Sequence, residues 1–406
     1  MTIAQQDSTE TQGTGLQKPL QGIRVVDLTR VLSGPFCSML LGDMGAEVIK
    51  IEPPGQGDPV RAQGGIKDGL SWYFASFNRN KKSVELDLRD AGDKALLAEL
   101  IRGADVLVEN FRPGVMAKMG FGPKVLADLN PRLVSASVNG YGSTGPYIDR
   151  PAFDFITQAM SGFMSVNGRA DQPPLRSGQP ITDLVAGLYT AFGIVSALRA
   201  RDLNGRGQHV ESAMLNGILS FMAYLASEHL MTGALPERTG NDHPLVAPYG
   251  LFRASDGEVA VAPSNDIILR RFLRALDLEM LLEDPRFDTN PKRFARRDEL
   301  NALIDARMAT DSQASWIDRL NAAGVPSGKV QNLREALEDP QVQAQEMVID
   351  LPHPGHGTVR MLGFPVKLSE TPCEARLPAP RLGEHNDEIL TPLRAALSAR
   401  AGAGKT

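Results

Sequence analysis

Asp183 is the first candidate for chemistry. It is an acidic residue opening an almost wholly apolar segment, DLVAGLYTAFGIVSALRARD, which ends in Arg199, Arg201 and Asp202 before the turn Asn204-Gly205. Two readings fit it. Asp is favoured at a helix N-cap, where the helix end stabilises its charge; a carboxylate so placed can also be a reactive group in a dry pocket. The roles are compatible, because backbone donors near a helix end can hold a carboxylate in position. Other patterns lead nowhere. Gly404-Lys405-Thr406 ends like a phosphate-binding loop, but the glycine expected five residues earlier is Ala399 and no helix can follow. The turn Thr29-Arg30-Val31-Leu32-Ser33-Gly34-Pro35 carries no G-x-G-x-x-G, which disfavours a nicotinamide or flavin dinucleotide. There is no G-x-S-x-G elbow of a hydrolase triad. The six histidines form no metal pattern, and the nearest pair, His353-Pro-Gly-His356, reads as a surface turn.

The elements that must position Asp183 begin at Ile23. A strand Ile23 to Leu28, a helix opening at Gly34-Pro35 and running through Leu41, and a strand Glu47 to Ile51 make a βαβ unit. Apolar β-type runs recur at Ser83 to Leu88, Val106 to Val108 and Leu133 to Val138, with a helical segment at Ala91 to Arg102. Such alternation implies a largely parallel sheet covered by helices. The Asp183 segment is apolar nearly all round, which predicts a buried helix. Another apolar helix runs to about Met231, followed by a Gly/Pro/charge-rich stretch from Thr232 to Pro248. A hairpin then spans Leu251 to Ala262 around Ser255-Asp256-Gly257.

Composition bounds the rest. With 406 residues, 42% hydrophobic and 22% charged, the chain can bury a sizeable core in two domains. A net charge of -5 argues against a broad polyanion-binding surface and hence against nucleic acid. Cys37 and Cys373 lack closely spaced companions and read as reduced, packed thiols. No apolar run approaches the ~20 residues of a membrane span, and the polar opening Met1 to Gln17 reads as a leader on a cytoplasmic protein.

Taken together, several segments resemble the class III coenzyme A transferase (CaiB/BaiF) family, with formyl-CoA transferase, carnitine CoA-transferase and α-methylacyl-CoA racemase among its members. They are Pro19 to Asp58 (PLQGIRVVDLTRVLSGPF through EPPGQGD), NRNKKSVELDL, ADVLVENFRPG, MGFG, LNPRLVSASVNGYGSTGP, the Asp183 helix with NGRGQHV, and LGEHNDEIL, running from about residue 19 to 390. The resemblance implies an α/β fold. A Rossmann-like large domain with a mostly parallel sheet is joined to a smaller α+β domain, in an interlocked homodimer. The expected divisions are a leader (1–18), a large CoA-binding domain (19–231), a linker (232–248), a small domain (249–325), a segment returning to the large-domain layer (326–395) and a flexible tail (396–406).

The resemblance also implies a nucleophilic aspartate at Asp183, followed four residues on by Gly187, that forms a mixed anhydride with the acyl group of a CoA thioester. The substrates would be an acyl-CoA and a carboxylic acid, with no tightly bound cofactor and no metal. Carried over by position, the CoA cleft comprises Arg30, Val31, Leu32, Ser33, Leu86, Arg89, Asn110, Phe111, Lys118, Met119 and Tyr141. Arg89 and Lys118 suit phosphate, and Phe111 and Met119 could pack on adenine or pantetheine. Without the resemblance, these would read as solvated charges and ordinary core. Pro53 and Asn139 stand where formyl-CoA transferase has basic residues, and no glycine-rich flap is visible, its nearest counterpart being Gly240 to Gly250. Oxalate is thereby disfavoured as acceptor, and dicarboxylic acids such as succinate or glutarate fit better. Ala152-Phe153-Asp154-Phe155 lacks the racemase histidine, which disfavours racemisation; a racemase-like isomerase is the rival enzyme and a silent CoA-binding protein the non-enzymatic rival.

Overall fold

A computed structural model describes residues 16–403. Most of the expected leader, the end of the expected tail and the Gly404-Lys405-Thr406 motif lie outside the described residues. The described residues form two compact units, the first of residues 16–158, 179–221 and 343–403, the second of residues 159–178 and 222–342.

The first unit is built on six parallel strands: β1 (Arg24–Asp27), β2 (Glu47–Glu52), β3 (Lys81–Glu85), β4 (Val106–Glu109), β5 (Val134–Asn139) and β6 (His209–Ala213). Their order across the sheet is β3-β2-β1-β4-β5-β6. Side chains alternate between faces along a strand, and the sheet is covered on both. Val25, Val48 and Val106 pack under α1 (Ser33–Asp43), while Val26, Ile49 and Leu107 pack under α2 (Ala91–Arg102). Two further helices frame the site, the short α3 (Asp154–Met160) and the long α4 (Ile181–Asn204), which joins α1 on the first face.

The C-terminal helix α5 (Asn386–Ala403) buries Leu390 on the α2 face. Just before it, the LGEHN residues cover the open edge of β3. Ser83 donates its N–H to His385 Nδ1 (3.2 Å) and accepts from the His385 N–H (2.9 Å), and the Glu85 N–H donates to Asn386 Oδ1 (2.8 Å). A β-hairpin, Val348–His353 with Gly357–Leu362, belongs to the same unit. The expected surface turn at His353 is only partly one: His353 is buried at the hairpin end, its ring 4.7 Å from that of His356.

α4 departs from the expectation of burial on all sides. Val185, Ala186, Ile194, Ala197 and Leu198 are buried, but Leu188, Tyr189, Phe192, Val195 and Leu203 are exposed, Phe192 by 71%. By length and composition α4 could also cross a membrane, which the sequence reading did not find; half of its most apolar window is buried.

The second unit has its own core of Phe252, Phe272, Ile304 and Trp316 beneath a three-stranded antiparallel sheet, Gly250–Ala254, Gly257–Val261 and Ser327–Lys329. Ser255-Asp256 makes its hairpin turn, next to the expected Asp-Gly pair. Residues 159–178 cluster here because the Arg238 guanidinium donates to the carbonyls of Arg169, Ala170 and Gln172, and Gly240 N–H to Gly168 O.

Candidate active site

In an open parallel sheet, ligands bind outside the carboxyl ends of the strands, where neighbouring connections leave in opposite directions. Here that point lies between β1 and β4, and a cavity of about 440 Å³ opens there. Its walls are the residues following β1 (Arg30 to Ser33), β4 (Asn110 to Pro113) and β5 (Gly140 to Gly142), together with Asp183.

The turn after β1 is strained and heavily braced. Val31 has φ 69, a left-handed conformation that is an outlier for a β-branched residue and costs on the order of 1–3 kcal/mol. The Asp58 carboxylate accepts the Val31 N–H through both oxygens (3.1 and 3.2 Å). Lys50 bridges the same parts, donating to Thr29 O (2.8 Å) and pairing with Asp58 (2.9 Å), both side chains fully buried. Asp27 accepts the Thr29 N–H (2.8 Å) and pairs with Lys81 (3.1 Å). Buried ions persist only when paired and hydrogen-bonded in this way. From the next strand, Asn110 accepts the Arg30 N–H (2.9 Å) and donates to Arg30 O (2.7 Å), while the Arg30 guanidinium lies 4.9 Å from the Phe111 ring centre.

Asp183 is the third residue of α4. The residue capping the helix is Pro180, which makes no side-chain cap bond. Asp154, the first residue of α3, takes over that role: its Oδ1 accepts from the Thr182 N–H (2.9 Å) and Oγ1 (3.0 Å), and its Oδ2 from Gln158 Nε2 (2.7 Å). The Asp183 carboxyl, relieved of capping, lines the cavity together with Ser33. Burial first, and the Asp154 charge second, push it up to about 7, with the Ser33 hydroxyl dipole pulling the other way. α4 can approach Ser33 closely because residue 187 is glycine. A Cβ there would stand 2.5 Å from Ser33 O. A carboxyl poised near neutrality in a cleft is suited to nucleophilic or acid-base work.

The CoA-transferase family III model matches residues 20–386. The chain belongs to that family. It is 42% identical to the acetyl-CoA:oxalate CoA-transferase of Acetobacter aceti, over 93% of this chain and 96% of that one. The succinate–glutarate CoA-transferase of Agrobacterium fabrum is 36% identical, over 92% and 96%. Among solved structures, a CAIB/BAIF family protein from Brucella suis superposes with a TM-score of 0.83 at 36% identity, covering 93% of this chain and 100% of that one. The protein is thus an acyl-CoA:carboxylate CoA-transferase, as its sequence implied.

The CoA-transferase cavity brings Arg30, Val31, Leu32, Ser33, Asn110, Phe111 and Tyr141 together with Asp183. The other expected contacts lie elsewhere. Leu86 is buried in the α2-side core, against which Met119 and Phe111 also pack. Arg89 is held by two 2.9 Å bonds to Asp87 with its side chain 91% exposed, and Lys118 is exposed at the end of a short helix, Val115–Lys118. A second cavity, of about 730 Å³, shares Phe111, Pro113 and Asn139 with the first and is lined by Glu109, His209 and Glu211. Burial, chiefly, pushes Glu109 up to about 7. Sequence reasoning missed Asp154, Lys50 and Asp58. Asp58 ends the GQGD segment already quoted, but nothing local marks Asp154, because it caps a helix that begins 27 residues later.

Proposed function

We propose that this enzyme moves CoA from an acyl-CoA donor, such as succinyl-CoA, to a carboxylic acid through covalent intermediates on Asp183. Its carboxylate attacks the thioester carbon, the C–S bond breaks, and an aspartyl anhydride and CoA thiolate result. The thiolate attacks the aspartyl carbonyl of the anhydride, giving an enzyme thioester and freeing the donor acid. The acceptor carboxylate attacks that thioester and forms a second anhydride. The thiolate then takes the new acyl group and restores Asp183. Each step exchanges groups of similar reactivity, so the protein need mainly position the reactants and exclude water.

The observation that carries this reading is the Asp183 carboxyl facing the cavity while Asp154 does the capping. The neighbouring cavity gives the long CoA molecule room that 440 Å³ does not. Arg30, Val31, Leu32, Ser33, Asn110, Phe111 and Tyr141 are proposed to contact CoA beside Asp183, with Leu86, Arg89, Lys118 and Met119 as more distant contacts. The relatives' acceptors, oxalate and glutarate, are dicarboxylic. We propose that class here, with oxalate restored to the panel by the Acetobacter aceti relative. The exposed apolar side of α4 supports a homodimer, and we propose the cytoplasm as its compartment.

Incubation with succinyl-CoA and a panel of carboxylic acids, followed by mass spectrometry of new thioesters, tests the reaction. Hydroxylamine or borohydride should mark Asp183 when acyl-CoA is present. Deuterium uptake at the α-carbon without CoA exchange would favour an isomerase instead.

A further inference from the structure

The cavity's charge balance is one-sided in a protein whose net charge is -5: Asp183 is its one acid, while Arg30, Arg112 and Arg150 line it as bases. Arg30 is bonded to the β4 exit and lies over Phe111. Arg150 is differently mounted. Its guanidinium stacks 3.7 Å from the ring centre of Tyr147, which meets Tyr141 edge-on at 5.8 Å, and the Arg150 backbone N–H donates to Tyr147 O (3.0 Å). No carboxylate among the described residues pairs with it. A planar cation fixed on an aromatic face, with its donors unspent, is suited to bind a carboxylate with two parallel hydrogen bonds.

The chain around Arg150 is anchored at the reacting end. Four residues on, Asp154 bonds Thr182, the neighbour of Asp183. The intervening segment packs tightly on the β5 exit, where a Cβ on Gly140 would fall 2.1 Å from that of Ala152. Arg150 thus lines the same cavity as Asp183 from the segment after β5, whereas Arg30 and Arg112 line it from the ends of β1 and β4. A short acid reacting at Asp183 extends only a little way from it, and a second carboxylate on that acid cannot be left unpaired. The CoA diphosphate lies at the far end of the pantetheine arm.

Resting on the reaction proposed above, we infer that Arg150 is the acceptor-selecting residue, binding the distal carboxylate of a dicarboxylic acid whose proximal carboxylate reacts at Asp183. The test compares glutarate with valerate, of equal chain length, as acceptors from acetyl-CoA, whose acyl group has no second carboxylate, in wild type, Arg150→Leu and Arg150→Lys. In Arg150→Leu, kcat/KM for glutarate should fall about 10- to 100-fold, the loss of one charge-assisted pair. Valerate and the KM for acetyl-CoA should change less than about threefold, within the spread of neutral surface changes. Arg150→Lys, which keeps the charge without the fork, should recover part of the loss. Equal losses for both acceptors, or no loss, would overturn the inference. A raised KM for acetyl-CoA with the glutarate preference kept would assign Arg150 to the CoA phosphates instead. Hydroxylamine trapping of Asp183 in the same variants separates the two levels: wild type without the adduct sinks the reaction and this inference together, whereas an adduct with an unchanged acceptor ratio sinks the inference alone.

Discussion

Asp183 should cost the folded protein stability at neutral pH, and replacing it by Asn should return that stability. In the folded chain its carboxyl keeps its proton up to about pH 7, against an ordinary value of 3.8. Below about pH 4 it is protonated in both states and contributes nothing; as pH rises to 7 the unfolded chain releases the proton and the folded one resists. The full step corresponds to about 4 kcal/mol. The amides at the start of α4 favour the anion and offset about 1–2 kcal/mol of it. Asp183→Asn should therefore be about 2–3 kcal/mol more stable than wild type at pH 8, with the gap closing by about pH 4. Chemical denaturation at both pH values, alongside the exchange assay, reads this directly, and exchange should be abolished. An Asn variant of equal or lower stability at pH 8 would refute the reasoning, because it would mean that the carboxylate acts as a cap after all.

The same ionisation should appear in catalysis: acylation of Asp183 by acyl-CoA should rise through an apparent value near 7. Asp154→Asn, which keeps an oxygen for Thr182 but removes the like charge, should shift that limb to lower pH, with Tyr73 the other titratable group coupled to Asp183. Gly187→Ala forces a Cβ against Ser33 O and should cost about 1–3 kcal/mol in a thermal or denaturant melt, with a drop in kcat/KM. Asp58→Asn should lower kcat/KM by loosening the Val31 turn, and adding Val31→Gly should recover activity, because glycine holds φ 69 without strain. If the double variant is no better than Asp58→Asn alone, bracing the turn is not what Asp58 contributes.

The parallel sheet was legible because its strands are short apolar runs of Val, Ile and Leu separated by helical spacing. The α2 boundaries, Ala91 to Arg102, follow the apolar periodicity and match the structure. What could not be read is what a linear pattern does not encode. An all-round apolar α4 looks the same whether all its faces are buried or Leu188, Phe192 and Leu203 remain exposed. Asp183 stood out as an acid in an apolar run, but its freedom from capping depends on Asp154, which meets it only in three dimensions. Likewise, the left-handed Val31 is invisible in sequence, since valine is among the residues least expected there. Arg89 matched a phosphate ligand by position, yet the neighbouring Asp87 claims its guanidinium.

The covering of β3 by His385 and Asn386 has a consequence for synthesis. The strand is made early, but the residues that occupy its outer backbone groups are about 300 positions away. Until they emerge from the ribosome, β3 presents bare donors and acceptors to any passing strand. A nascent chain halted near residue 380 should therefore be an aggregation hazard even with its sheet assembled, and a chaperone bound at that edge would have to leave last.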